Sequence, residues 1–200
     1  MKIDERLQKQ IDFILEIDKE KNIFRQTHLT NHGRNENDSE HAWHMAIMAY
    51  LLKEYSNEKI DIGKVMIMCL LHDIVEIDAG DTYAYDEENK KTQKAREEAA
   101  KNRIYSLLPE DQCNELKALF EEFEKCESAE SKFARAMDNF QPLLLNNSNG
   151  GSDWKEHSVS YEKVMGRQSG TKKGSEKLFD ITNQIIDDNV EKGSLYKEQG

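Results

Sequence analysis

An all-α fold in a single helical domain is predicted, and three observations predict it. Apolar residues recur at helical spacing in one segment after another, no run alternates in the way of a half-buried strand, and only two prolines interrupt 200 residues. With 37% hydrophobic and 34% charged residues, the chain can bury one core of ordinary size beneath solvated outer faces. The expected domain spans residues 1–200, with a core from about 4 to 145, C-terminal helices over about 154–190 and a frayed tail from 192 to 200.

The elements follow in order. Leu7, Ile11, Ile14, Leu15 and Ile17 mark a first amphipathic helix from about 4 to 20, whose apolar face is expected in the core. A polar stretch through Thr30, Asn31, His32 and Gly33 reads as a loop and places Arg25 near it. Asp38 or Ser39 caps a second helix in which His41, Met45, Met48 and Leu52 share a face, so His41 points toward the core. Asp61 caps a central helix that is expected to continue to Ala79 and Gly80, with Gly80 as a left-handed stop. An acidic, aromatic loop over 81–88 comes next. Residues 92–107 read as a helix closed by Pro109, and Leu116, Leu119, Phe120 and Phe123 mark another. From Ser128 to about Leu145, Phe133, Ala134, Met137 and Phe140 form a buried stripe with Asp138 beside it. Asn146–Ser152 is the clearest break, Trp154 to Met165 suggests a helix, 170–174 is a second polar break, and Leu178, Ile181, Ile185 and Ile186 mark the last helix.

Chemistry concentrates in the central apolar run, where His72 and Asp73 stand side by side and Glu76 follows within about one helical turn. Burying an ionised carboxylate beside an imidazole costs several kcal/mol unless a partner compensates, and a metal ion compensates best. His41 and Asp138 extend the set to three helices. Two imidazoles and two carboxylates suit one divalent ion that keeps positions open for water and substrate. Mn, Co, Mg, Fe, Ni and Zn all fit such a donor set.

The ordered set of His41, the His72-Asp73 pair and distant Asp138 resembles the HD-domain metal-dependent phosphohydrolases. Within them, the stretches Glu36-Asn37-Asp38-Ser39-Glu40-His41, His72-Asp73-Ile74-Val75-Glu76 and Gly80-Asp81 look like the 5'-deoxynucleotidase branch, over roughly residues 7–145. The resemblance implies a helical homodimer that hydrolyses nucleoside 5'-monophosphates with a divalent metal. It implies His41, His72, Asp73 and Asp138 as metal ligands, Glu76 and Asp81 as catalytic residues, and Arg25 as the phosphate-holding residue. Relatives carry a tryptophan close after that arginine; here Gln26, Thr27 and His28 follow, and His28 is expected to take the place against the sugar or base.

Composition bounds the partners. A formal charge of -11 with no basic stripe argues against a nucleic-acid polymer, and the resemblance implies a small phosphorylated substrate. No apolar run is long enough for a membrane span, no early signal-like segment is present, and Cys69, Cys113 and Cys126 match no zinc framework, so a cytoplasmic protein is expected. His28, His32 and His44 are expected not to be ligands. Other readings keep the metal but change the substrate to another small phosphoester or a nucleotide polyphosphate, for which Lys90, Lys91 and Lys94 are further cations, or make the protein a metal-stabilised binding module without turnover.

Overall fold

The computed structural model describes residues 3–30 and 32–198, with the side chains of Glu87 and Lys90 left aside. Asn31 of the expected loop, the Lys90 side chain and the last two tail residues therefore lie outside the described residues. Helices dominate, as expected, and one small antiparallel sheet joins them.

Helix α1 (Glu5–Ile17) is capped by the Asp4 side chain on Leu7 N–H and passes into a 3-10 turn over Asp18–Asn22. Its apolar face does not join the core as expected: Phe13 is buried, whereas Leu7, Ile14 and Leu15 are exposed. The expected polar loop contains a hairpin instead, β1 (Phe24–His28) pairing with β2 (Asn35–Asn37). Strands this short and polar carry no alternating signal, so sequence periodicity could not reveal them. Helix α2 (Asp38–Leu52) starts one residue earlier than predicted, capped by Asn37 in a reciprocal box with Glu40.

Helix α3 (Ile62–Leu71), capped by Asp61, ends sooner than predicted. Residues 72–75 form tight turns, and a short helix α4 (Glu76–Ala79) follows. The cause is local: the His72 ring donates from Nδ1 to the Cys69 carbonyl at 2.9 Å, an acceptor that an unbroken helix gives to the Asp73 N–H. Gly80 does close the segment with positive φ, 74°, but its ψ of 146° is not the left-handed helical value.

Helices α5 (Glu87–Tyr105) and α6 (Glu110–Lys125) pack with Phe13, Leu71, Ile74 and Val75 in one apolar cluster. A second cluster joins α2 and α3 to α7 (Ala129–Ser148) and the C-terminal helices, centred on Met45, Met68, Phe133 and Met137. His72 and Asp73 lie where the chain crosses from one cluster to the other, between Cys69 and Ile74. Helix α7 runs past the expected break to Ser148, and the turn follows at Gly150 and Gly151, both with positive φ. Beyond it lie α8 (Ser152–Glu156), α9 (Tyr161–Gln168), α10 (Thr171–Gly174) and α11 (Glu176–Glu191). The second polar break is buried against α7, because Gly174 lets α10 approach the Lys132 carbonyl. The expected tail also packs: Ser194 and Leu195 are buried, and Tyr196 bridges to Ser160.

Candidate metal centre and cleft

Three helical segments converge on one buried cluster. His41 comes from the first turn of α2, His72 and Asp73 from the turn after α3, and Asp138 from the middle of α7. His41 Nε2 lies 3.4 Å from Asp138 Oδ1 and 4.0 Å from Asp73 Oδ2; His72 Nε2 lies 3.1 Å from Asp73 Oδ1 and 3.9 Å from Asp138 Oδ1. The tautomers follow from the outer partners. His41 Nδ1 donates to Gln141 Oε1 at 2.9 Å, and that amide is oriented by donating from Nε2 to Glu36 at 2.8 Å. With His72 Nδ1 also bound to a carbonyl, both neutral rings turn an Nε2 lone pair toward the two aspartates.

Both Nε2 atoms are buried and have no hydrogen-bond partner. Unsatisfied acceptors facing carboxylates are costly in a dry interior, and a divalent cation removes the cost for all four side chains at once. One ligand atom each of His41, His72 and Asp138 lies within 4.8 Å of the others, a spacing that suits one ion, and Asp73 meets the two rings through different oxygens. The residues present therefore fit a metal.

Protonation agrees with ligation for His41 and Asp138, whereas at His72 a cation would displace the proton that the neighbouring carboxylates favour. Burial, helped by Arg25, lowers the His41 imidazole to about 4, so it is neutral. Burial opposes ionisation of Asp138, but Arg167, His41 and Arg135 hold its carboxyl well below the usual range. Burial also lowers His72, yet the Asp73 and Asp138 charges overcome it and raise the ring above its ordinary value.

A second group of acids adjoins the first. Ligand atoms of Asp38, Asp73 and Glu76 lie within 4.8 Å of one another. Burial and the Asp73 charge push the Asp38 carboxyl up to about 8. Arg25 sits on β1 rather than in a loop, donating from Nη1 to Asp73 at 2.8 Å and to Asp38 at 3.4 Å, with Glu36 3.5 Å from Nε.

Two clefts of about 570 Å³ each share Arg25, Asp81 and Arg167. One is lined by His72, Asp73, Glu76 and Asp138; the other by Tyr83, Tyr85, Asn139 and Trp154. Asp81 thus lies at the junction of the two. Glu124 also lines the acidic cleft. His28 is not among the residues that line these two clefts; its ring lies 2.8 Å from Asp153 and its backbone N–H donates to the same carboxylate at 3.1 Å.

Sequence reasoning missed Arg135 and Arg167, which reach Asp138 at 3.2 and 3.4 Å, and Gln141, which orients His41. Arg135 and Gln141 each stand three residues from Asp138 on α7, a helical spacing that was available as a signal. Arg167 had none.

The family model described as HD domain matches residues 17–179. The human protein "5'-deoxynucleotidase HDDC2" is 36% identical over 114 residues, covering 57% of this chain and 54% of that protein. The Bos taurus protein of the same description is 34% identical over 114 residues, covering 57% and 54%. The chain thus aligns with about half the length of these curated relatives. A crystal structure from Magnetospirillum magnetotacticum MS-1, described as a predicted metal-dependent phosphohydrolase, superposes with a TM-score of 0.92 at 46% identity, covering 96% of each chain.

Proposed function

The chain belongs to the HD-domain family, and from that membership we propose that it is a metal-dependent phosphohydrolase that removes phosphate from (deoxy)nucleoside 5'-monophosphates. The observation that carries this reading is the pair of buried, unpartnered Nε2 atoms of His41 and His72 facing Asp73 and Asp138. These four side chains hold one divalent ion. When bound, such an ion acidifies a water and neutralises charge on phosphoryl oxygens.

The chain's own residues do the rest. Glu76 and Asp38 bring carboxyl oxygens within 4.8 Å of each other, and two carboxyls so close in a buried site do not both ionise readily. Glu76 Oε2 is buried without a partner and is the atom at which a proton enters or leaves. Asp81, between the clefts, faces both the reacting phosphate and the sugar. Arg25 orients Asp73 and, with Arg167, presents positive charge where the clefts meet; a planar guanidinium can pair two phosphate oxygens. The cleft with Tyr83, Tyr85 and Trp154 offers aromatic surface for the nucleoside. The substrate class itself comes from the description of the human and bovine relatives.

A second reading, a nucleotide polyphosphate as substrate, draws on Arg25, Arg135 and Arg167 lining one cleft. The protein also works as a homodimer in this proposal, because Trp43, Ile47 and Leu51 of α2 and Ile67 and Leu70 of α3 expose apolar surface on adjoining helices. Among the described residues, no helix is long and apolar enough to cross a membrane.

Phosphate release tests the assignment. Metal-stripped protein resupplied with Mn, Co or Mg is offered 5'-dAMP, 5'-AMP, 3'-AMP and ATP. Turnover of the 5'-monophosphates that requires added metal is expected; turnover of ATP alone would select the second reading, and silence on the whole panel with metal bound would overturn both.

A further inference from the structure

Away from this cluster, His28, His32 and Asp153 form another compact set, with one ligand atom of each within 4.8 Å of the others. Their order in the chain gives no warning, since 125 residues separate His28 from Asp153. His28 Nδ1 lies 2.8 Å and His32 Nδ1 3.9 Å from the same oxygen, Asp153 Oδ1. The two rings are 4.3 Å apart. Asp153 Oδ2 is already engaged, accepting the His28 backbone N–H at 3.1 Å, which turns Oδ1 toward both imidazoles. Ser152 Oγ adds an oxygen 3.2 Å from His32 Nδ1.

A structural clamp between strand and helix explains His28 and Asp153, since one imidazole–carboxylate hydrogen bond ties β1 to the start of α8. It gives His32 only a hydrogen bond to Ser152 Oγ. His32 holds a left-handed backbone, φ 52°, which costs a residue with a Cβ about 1 kcal/mol, and the result is one imidazole against another. A shared cation accounts for all three groups. Around a tetrahedral ion with bonds of about 2.1 Å, donor atoms stand about 3.4 Å apart, and 2.8 and 3.9 Å fall on either side of that spacing. Asp153 is buried while the His32 side chain is 47% exposed, so the set has a fixed floor and an open side for water. Two imidazoles with a carboxylate favour first-row transition ions such as Zn, Co or Ni over Mg or Ca.

We propose that His28, His32 and Asp153 bind a second divalent transition-metal ion. It pins the β1–β2 hairpin to the start of α8. Arg25 lies on the same strand as His28, and Asp153 lines the same cleft as Arg25, so the ion steadies the strand that presents this guanidinium.

The test compares metal-stripped wild type with His32→Ala and His32→Gln, by equilibrium dialysis against Zn and by the visible absorption of bound Co, with circular dichroism to verify folding. Both variants are expected to bind one equivalent fewer than wild type and to lose one component of the Co spectrum. His72→Ala is expected to keep that component. Wild type binding one equivalent and the His32 variants none would support this site while removing the ion assigned to His41 and His72. Equal stoichiometry and spectra in wild type and both folded His32 variants would overturn the proposal.

Discussion

Burial raises the Glu76 carboxyl well above its ordinary range, and the charges of Asp73, Asp38 and Asp81 raise it further against the opposing pull of Arg25. A carboxyl in that setting holds its proton more tightly than a free glutamate, which suits it to proton transfer in a hydrolase. Glutamine at this position keeps the size, but it cannot exchange the proton. Glu76→Gln is therefore expected to retain stoichiometric metal and near-normal KM while kcat falls by about 10²–10⁴-fold. Metal content and steady-state kinetics on the same preparation check this, and an unchanged kcat would remove Glu76 from the chemistry. His41 and His72 were legible as ligand types because each interrupts an apolar helical face. Their tautomers were not, because Gln141 and the Cys69 carbonyl set them through contacts that appear only in three dimensions.

Among the elements, the early end of α3 matters most. An unbroken helix would set His72 and Asp73 about 100° apart around its axis. The turns over 72–75 instead let both side chains meet the same cluster, 3.1 Å apart. The packing of α10 on α7 is the other decisive contact, since α7 carries Asp138. A Cβ on Gly174 would lie 2.3 Å from the Lys132 carbonyl oxygen and 2.9 Å from the Ala136 Cβ. Gly174→Ala is expected to destabilise the fold by about 1–3 kcal/mol, read as a lower urea midpoint at unchanged slope. A midpoint equal to wild type would show that α10 can move away from α7 at little cost.

Across the whole molecule, the two apolar clusters leave a polar seam between them, and the cleft residues occupy it. The surface is asymmetric as well. Trp43 is 62% and Leu51 64% exposed on α2, close to Ile67 on α3, a face more apolar than a monomer needs. Sedimentation velocity is expected to give a dimer for wild type and a monomer for Trp43→Glu with unchanged helical content. A monomeric wild type at micromolar concentration would show that this face has another use.

The sequence by itself determined the helical class and the identity of the central His-Asp set, because 3.6-residue periodicity and neighbouring polar residues within apolar runs are local properties of a chain. It also marked the starts of the helices at Asp61 and Ser128. Tertiary structure alone decided that Arg167 faces Asp138, that His28 pairs with Asp153, and that a hairpin carries Arg25. The reason is physical. His41 meets Gln141 across 100 residues and His28 meets Asp153 across 125, and such meetings depend on how helices pack and cross, which no local pattern encodes.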